Sequence, residues 1–276
     1  TAQQHGTRTD ALHQRYSSGL HMPTLLDRHI DEVSDRLLLL APPQRLVPQA
    51  FKDVVADETE YVARLGEVQR LRGEIYFRDG AVRRDDLTRD GLHRTPEDDV
   101  SWHLLMLDDD GQVTAGMWYM EHPRAISADQ LRVRHCPAGM RRESRDAFWR
   151  AVNDELRQAR RGGLGYAELG GWFVVEHCRR SCDGLLLALG AFSLGRMLGG
   201  ALGLTTATVR HSSSTILRKI GGEPLKGAGQ VIGPYFDPQY QCEMELIRFD
   251  SRRPDARFAG SIERLKDRLA TVHIVE

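Results

Sequence analysis

The chain holds four cysteines in 276 residues, Cys136, Cys178, Cys182 and Cys242, and no two of them form a Cys-x-x-Cys pair. Such usage excludes a disulfide framework and fits a reduced, cytoplasmic protein. Cys178 and Cys182 beside His177 lack the second knuckle of a structural zinc site, so no metal is expected. A Cys-His nucleophile lacks an orienting third group. Neither sign of charge is in excess: 38 basic residues against 39 acidic ones leave a net charge of −1. No overall field draws in nucleic acid, and the clusters RVRH, RRESR and RQARRGG between Arg132 and Gly163 read as the solvated face of a helix. A secretory leader, internal repeats and low-complexity tracts are also lacking. The most apolar stretch, Gly184 to Leu204, follows Asp183, is interrupted by Ser193 and Arg196, and contains six glycines. It reads as a buried helix and not as a membrane span.

What is present centres on Glu168 to Leu204. Trp172, Phe173, Val174 and Val175 are bulky and β-prone and read as a buried strand. EHCRRSCDG is a polar elbow, and the Leu- and Ala-rich run after it is a helix packed inside the protein. A helix that starts after a strand-ending turn presents free backbone N–H groups and the positive end of its dipole, an arrangement suited to phosphate. Arg179, Arg180 and the Ser181 hydroxyl reinforce it. An ordinary β-turn-α unit with solvated arginines has the same spacing.

With these residues the chain resembles the GNAT acyltransferase superfamily. That signature places Val at the end of the fourth strand, Arg or Gln five residues on, then glycines three and five residues beyond. Val174, Arg179, Cys182 and Gly184 fall on the four positions, with Cys182 in place of the first glycine. Within the superfamily, Glu168 followed by Phe173 and Val174 looks most like the acyl-homoserine-lactone synthases and the long-chain N-acyl amino acid synthases. Their usual Ser and Arg two and three residues after that Glu are Gly170 and Gly171 here. Trp118 and Tyr119 stand where the lactone synthases carry an Arg. The Tyr that most GNAT acetyltransferases use as leaving-group acid is Leu217 here.

The resemblance implies an α/β fold, a mixed and mainly antiparallel sheet with a splayed centre flanked by helices. It implies a phosphopantetheine thioester donor, acyl-coenzyme A or an acyl carrier protein, held by Arg179 to Gly184 with Cys182 and Asp183 in the turn. Backbone N–H groups near Val174 and Val175 would hold the oxyanion, and Glu168 would take the proton of a small-molecule amine acceptor such as an amino acid. Arg72 and Tyr76, an Arg and an aromatic four residues apart, match a pair lining the substrate cleft of these relatives. Trp102 and Trp118 line a cavity or form buried core. Gly170 and Gly171 leave room for a chain longer than acetyl. A non-catalytic binding module and an ordinary acetyltransferase are the alternative readings.

Taken in order, residues 1–50 are an N-terminal extension with one helix, and 51–276 the acyltransferase domain. The helix carries Leu26, Ile30, Val33, Leu37 and Leu40 on one stripe and stops at Pro42 and Pro43. Phe51 to Ala56 is a strand and Asp57 caps a helix. Arg78 to Asp99 is a charged loop, a candidate lid. Trp102 to Leu107 and Val113 to Met120 form a hairpin around DDDG. Met140 to Arg160 is an amphipathic helix, and Leu204 to Val209 is a strand parallel to the Glu168 strand. His211 to Ile220, a hairpin from Gln230 to Phe249 and a helix from Ser261 to Leu269 complete the chain.

Overall fold

The structure, a computed structural model, describes residues 22–43, 45–210, 213–227 and 229–276. Residues 1–21 of the expected extension, and 211–212 at the start of one expected helix, lie outside the described residues.

The architecture is one large mixed sheet with helices on both faces. Its strands are β1 (Leu37–Leu40), β2 (Asp53–Val55), β3 (Trp102–Leu107), β4 (Val113–His122), β5 (Gly165–Val174), β6 (Ala201–Thr208), β7 (Glu223–Pro224), β10 (Tyr235–Asp237), β11 (Cys242–Asp250) and β12 (His273–Val275), while β8 (Lys226–Gly227) and β9 (Gln230–Val231) pair separately. The order across the sheet is β10-β11-β6-β5-β4-β3-β1-β12-β2, with β7 on β11. Pairing is antiparallel except for β5 with β6, β1 with β12, and β12 with β2. The helices are α1 (Met22–Val33), α2 (Glu58–Arg78), α3 (Arg145–Arg161), α4 (Asp183–Met197), α5 (Ser213–Lys219) and α6 (Ala259–Leu269).

Two expectations at the N-terminal end are corrected. The helix expected to run to Leu40 ends at Val33, and Leu37 to Leu40 form β1, buried on both faces. Four consecutive leucines suit a central strand covered from both sides, and a helical stripe would have left two of them facing water. Because β1 hydrogen-bonds β3 and β12, this part of the 1–50 segment belongs to the main sheet. The strand β12 was not anticipated: three residues, His273–Val275, carry no periodic signal, yet they fill the gap between β1 and β2.

Most other elements follow the sequence, but the helix expected from Met140 starts at Arg145, the strand expected from Leu204 starts at Ala201, only Tyr235–Asp237 of the expected hairpin arm pairs β11 while Gln230–Val231 pairs β8, and β7 and β8 were not anticipated. Asp57 caps α2 by accepting from Glu60 N at 2.9 Å. Leu26, Ile30 and Val33 of α1 are buried in the main core, against α6, whose Ser261 hydroxyl donates to Asp27 at 2.7 Å. The apolar α4 lies on one face of the sheet, with Leu186 to Leu189 almost wholly buried. No helix among the described residues is long and apolar enough to cross a membrane.

Candidate active site

The site is made by a failure of pairing. β5 and β6 run parallel and are joined from Gly165↔Ala201 to Leu169↔Thr205, and beyond that register they part. The gap opens into a cleft of about 380 Å³ whose walls are largely apolar, Met117, Leu169, Ile216, Leu217 and Met244 among them. On the other side β5 stays with β4, but through a bulge: Gly170 pairs Trp118 and Phe173 pairs Gly116, so two residues of β5 oppose Met117 alone. Gly171 sits in the bulge at φ +61°, a conformation few side chains tolerate.

The bulge sets which N–H groups face the gap. Val175 N donates to Thr114 O at 2.8 Å, so its N–H is turned to β4 and is not an oxyanion donor, contrary to expectation. Successive N–H groups in a strand point to opposite edges, so Val174, one residue earlier, directs its own toward the gap.

At the mouth stands the elbow after β5. The Ser181 hydroxyl accepts from Asp183 N at 3.0 Å and donates to Cys178 O at 2.8 Å, so it ties the elbow to the start of α4. Arg179, Ser181 and Gly184 line the cleft. Three expected donor contacts do not. Arg180 is exposed and away from the lining. Cys182 is half-buried outside it, and burial pushes its thiol up. Asp183 is buried beneath α1, with Oδ1 3.9 Å from both His29 Nε2 and Arg36 Nη2. A helix presents its first side chains around its whole circumference, so only some of an N-terminal run can face one ligand.

Glu168 is placed differently from the role expected of it. Its Oε2 accepts from Arg132 N at 2.7 Å and from His122 Nε2 at 2.9 Å, and Oε1 accepts from Val133 N at 2.7 Å. Buried and engaged on both oxygens, it anchors the turn at Arg132–His135. It borders a small nook beside Trp118.

Arg72 is also committed elsewhere. Nη1 and Nη2 grip Asp98 at 2.8 and 2.7 Å, Nε donates to His93 Nδ1 at 3.1 Å, and Arg72 and Asp98 are each 1% exposed. The pair pins the 79–99 loop to α2, so the expected lid is tied at its far end. Burial, then the Arg72 charge, pushes His93 down to about 4. Tyr76, four residues on, does line the cleft, and its hydroxyl donates to Trp172 O at 3.1 Å. Burial pushes its phenol above the ordinary range.

The two tryptophans separate. Trp102 is core: it stacks on Phe51 at 5.5 Å and its Nε1 donates to Glu121 at 3.3 Å. Trp118 lies beneath the bulge, and its ring occupies the space beside Gly170 and Gly171 that was expected to admit a longer acyl chain. The Arg132 guanidinium covers this ring at 5.5 Å and its Nε meets Glu97 at 3.1 Å.

Comparison with solved structures gives the same architecture. The chain aligns with the CoA-dependent acyl-homoserine lactone synthase BjaI, solved with SAM and isopentyl-CoA, over 87% of its own length and 92% of that chain, at 16% identity and a TM-score of 0.52. TofI, in a ternary complex with an inhibitor and MTA, matches over 85% and 99% at 11% identity and a TM-score of 0.52. MesI, a CoA-dependent acyl-homoserine lactone synthase, matches over 87% and 98% at 15% identity and 0.51. The fold is that of the acyl-homoserine lactone synthases. No family model matches the sequence, and no curated protein matches it.

Asp79, Arg132, Arg210 and Tyr240 are among the cleft residues that escaped sequence reading. Arg132 belongs to the RVRH cluster read as a solvated helix face, and only its contact with Glu97 and Trp118 shows otherwise. Asp79 carried a signal, an acid at the C-terminal end of a helix, where the dipole disfavours it. Arg210 and Tyr240 reach the cleft through tertiary placement alone. Among the described residues no cluster could hold a metal ion.

Proposed function

We propose that the protein is an N-acyltransferase that moves an acyl group from a phosphopantetheine thioester to the amine of an amino acid or similar small molecule. The observation that carries this reading is the parting of β5 and β6 beyond Leu169 and Thr205, with the Val174 N–H directed into the gap and the start of α4 at its mouth. A thioester arm is long, narrow and mostly apolar, and an apolar slot ending at a helix N-terminus with Arg179 beside it suits such an arm with its phosphates outermost.

In this reading the amine nitrogen attacks the thioester carbonyl carbon, forming the C–N bond. The carbonyl oxygen takes negative charge and receives the Val174 N–H; one such donor contributes about 3 kcal/mol. The C–S bond then breaks, the thiolate leaves and takes a proton, and the ammonium proton passes to water. Tyr76 holds the Trp172 carbonyl and with it the shape of the bulge. Glu168 acts by positioning Arg132 at the inner end of the cleft.

The donor is coenzyme A in preference to an acyl carrier protein, by analogy with BjaI and MesI and because Arg179 and Arg210 offer cations to a nucleotide's phosphates. The acceptor is an amine that also bears a carboxylate. Asp79 is the one acid among the described cleft residues and is already held by Arg179, which disfavours a sulfonium such as the SAM in the BjaI structure, and Arg132, though paired through Nε with Glu97, is the cation at the inner end of the cleft that a carboxylate would meet. Incubation with acyl-CoA thioesters and an equimolar mixture of amino acids and SAM, followed by mass spectrometry, tests this. The expected product is one N-acyl amino acid; acylation of SAM in preference to every amino acid overturns the acceptor assignment.

A further inference from the structure

Asp79 is the C-cap of α2, so its carboxylate meets the negative end of that helix's dipole. Arginines from elsewhere hold it there. Arg179, in the elbow after β5, donates from Nη2 to Asp79 Oδ2 at 2.6 Å, across 100 residues of sequence. Arg210, just past β6, donates from Nη2 to the Asp79 main-chain oxygen at 2.9 Å, across 131 residues. Arg78 Nε lies 3.3 Å from Oδ1. One aspartate thus links the two strands where they stand apart, and Asp79, Arg179 and Arg210 all line the cleft. Burial works against its charge, yet the Arg179 hydrogen bond holds its carboxyl below the usual range.

We propose that Asp79 is a built-in competitor for the donor's phosphates, a specificity-determining residue that occupies Arg179 until a polyanion displaces it. The identity of that polyanion as a coenzyme A thioester rests on the function proposed above; the anion seat itself does not. A carboxylate offers one charge and two acceptor oxygens, whereas the pyrophosphate bridge of coenzyme A offers two charges on four non-bridging oxygens, and its 3′-phosphate, a monoester, adds close to two charges and three oxygens. Exchange therefore favours a ligand carrying several phosphate charges over a lone carboxylate or an uncharged pantetheine thioester. The aspartate makes the seat selective at the expense of affinity.

Titration calorimetry with two probes, coenzyme A and inorganic pyrophosphate, tests this on the wild type, Asp79→Asn, Asp79→Ser and Glu176→Gln. Asparagine keeps the shape and an acceptor while removing the competing charge, and serine serves if the asparagine variant does not fold. Glu176 is the control: it is an exposed acid of the same elbow, 3.9 Å from Arg179. Both Asp79 variants are expected to bind each probe about tenfold more tightly, with the gain shrinking at high salt, and Glu176→Gln to stay within about twofold of the wild type. Pyrophosphate binding that is unchanged or weaker in the Asp79 variants overturns the proposal. If pyrophosphate tightens and no protein binds coenzyme A, the anion seat stands and the thioester reading falls.

Discussion

The indole of Trp118 lies so close to Gly171 that a Cβ on the glycine would stand 2.3 Å from Trp118 Cδ1; at Gly170 the corresponding distance, to Cζ2, is also 2.3 Å. The two glycines are where they are because the ring is beneath them. Gly170→Ala is therefore expected to destabilise the protein by about 1–3 kcal/mol through overpacking, and Gly171→Ala by more, since alanine also resists its positive φ. Chemical denaturation measures both. Adding Trp118→Leu to Gly170→Ala should return part of the loss, and a Gly170→Ala protein as stable as the wild type contradicts the packing described.

The buried Arg72–Asp98–His93 group makes stability depend on pH. His93 is held near pKa 4 in the folded chain by burial, against an ordinary value near 6.5, so the unfolded chain binds the extra proton between those values. The contribution is full above about pH 6.5 and is lost as pH falls toward 4, amounting to about 1–3 kcal/mol. Asp98 is depressed as well: burial alone would raise it, but the Arg72 hydrogen bonds prevail, so its contribution is lost only at lower pH still. Urea melts from pH 7 to 4 should show the decline, and His93→Gln should flatten it. Asp98→Asn, which leaves Arg72 buried without its anion, should cost about 3–5 kcal/mol at neutral pH.

Much of the fold was legible because the signals were local. DDDG set the β3–β4 hairpin, Asp57 the start of α2, and Trp172 to Leu204 the strand, elbow and buried helix. Leu37 to Leu40 misled because Leu26, Ile30 and Val33 precede them in helical spacing, and only coverage from both faces makes such a run a strand. The site was legible in its backbone and less so in its side chains. The strand end at Val174 and the start of α4 at Asp183 follow the expected strand, elbow and helix, because such a pattern describes chain geometry. Arg72 and Glu168 were assigned to the cleft although Asp98, His93 and the turn at Arg132 already claim them, partners that lie 21 to 36 residues away in sequence and leave no local trace.

Arg179 and Arg180 are adjacent and should behave differently. Arg179 lines the cleft beside the start of α4 and Arg180 does not. Arg179→Ala is expected to weaken coenzyme A binding by about tenfold, less at high salt, as for loss of one charge-assisted contact, while Arg180→Ala stays within about twofold. Equal losses from the two variants would return the binding site to a diffuse basic loop.

Glu168→Gln tests positioning against proton transfer. Glutamine has one acceptor oxygen in place of two, so one of the donors from His122, Arg132 and Val133 is left poorly matched and the turn at Arg132–His135 loosens. The expected result is a loss of about 1–3 kcal/mol in stability, with a raised KM for the acceptor and no recovery of rate at high pH. A variant of unchanged stability whose rate alone falls and recovers at high pH would make Glu168 the base after all.

In the proposed reaction the Val174 N–H, turned into the gap between β5 and β6, stabilises the oxyanion of acyl transfer. Val174→Pro removes this donor and leaves the hydrogen bonds to β4 in place, because the lost N–H takes no part in that ladder. Amine-dependent release of free thiol from acyl-CoA should proceed in the wild type and fall by about 100-fold or more in kcat in the folded variant, with donor binding retained. Thiol release at the wild-type rate in folded Val174→Pro, or no amine-dependent release by the wild type with any donor from acetyl to long-chain, would contradict the account.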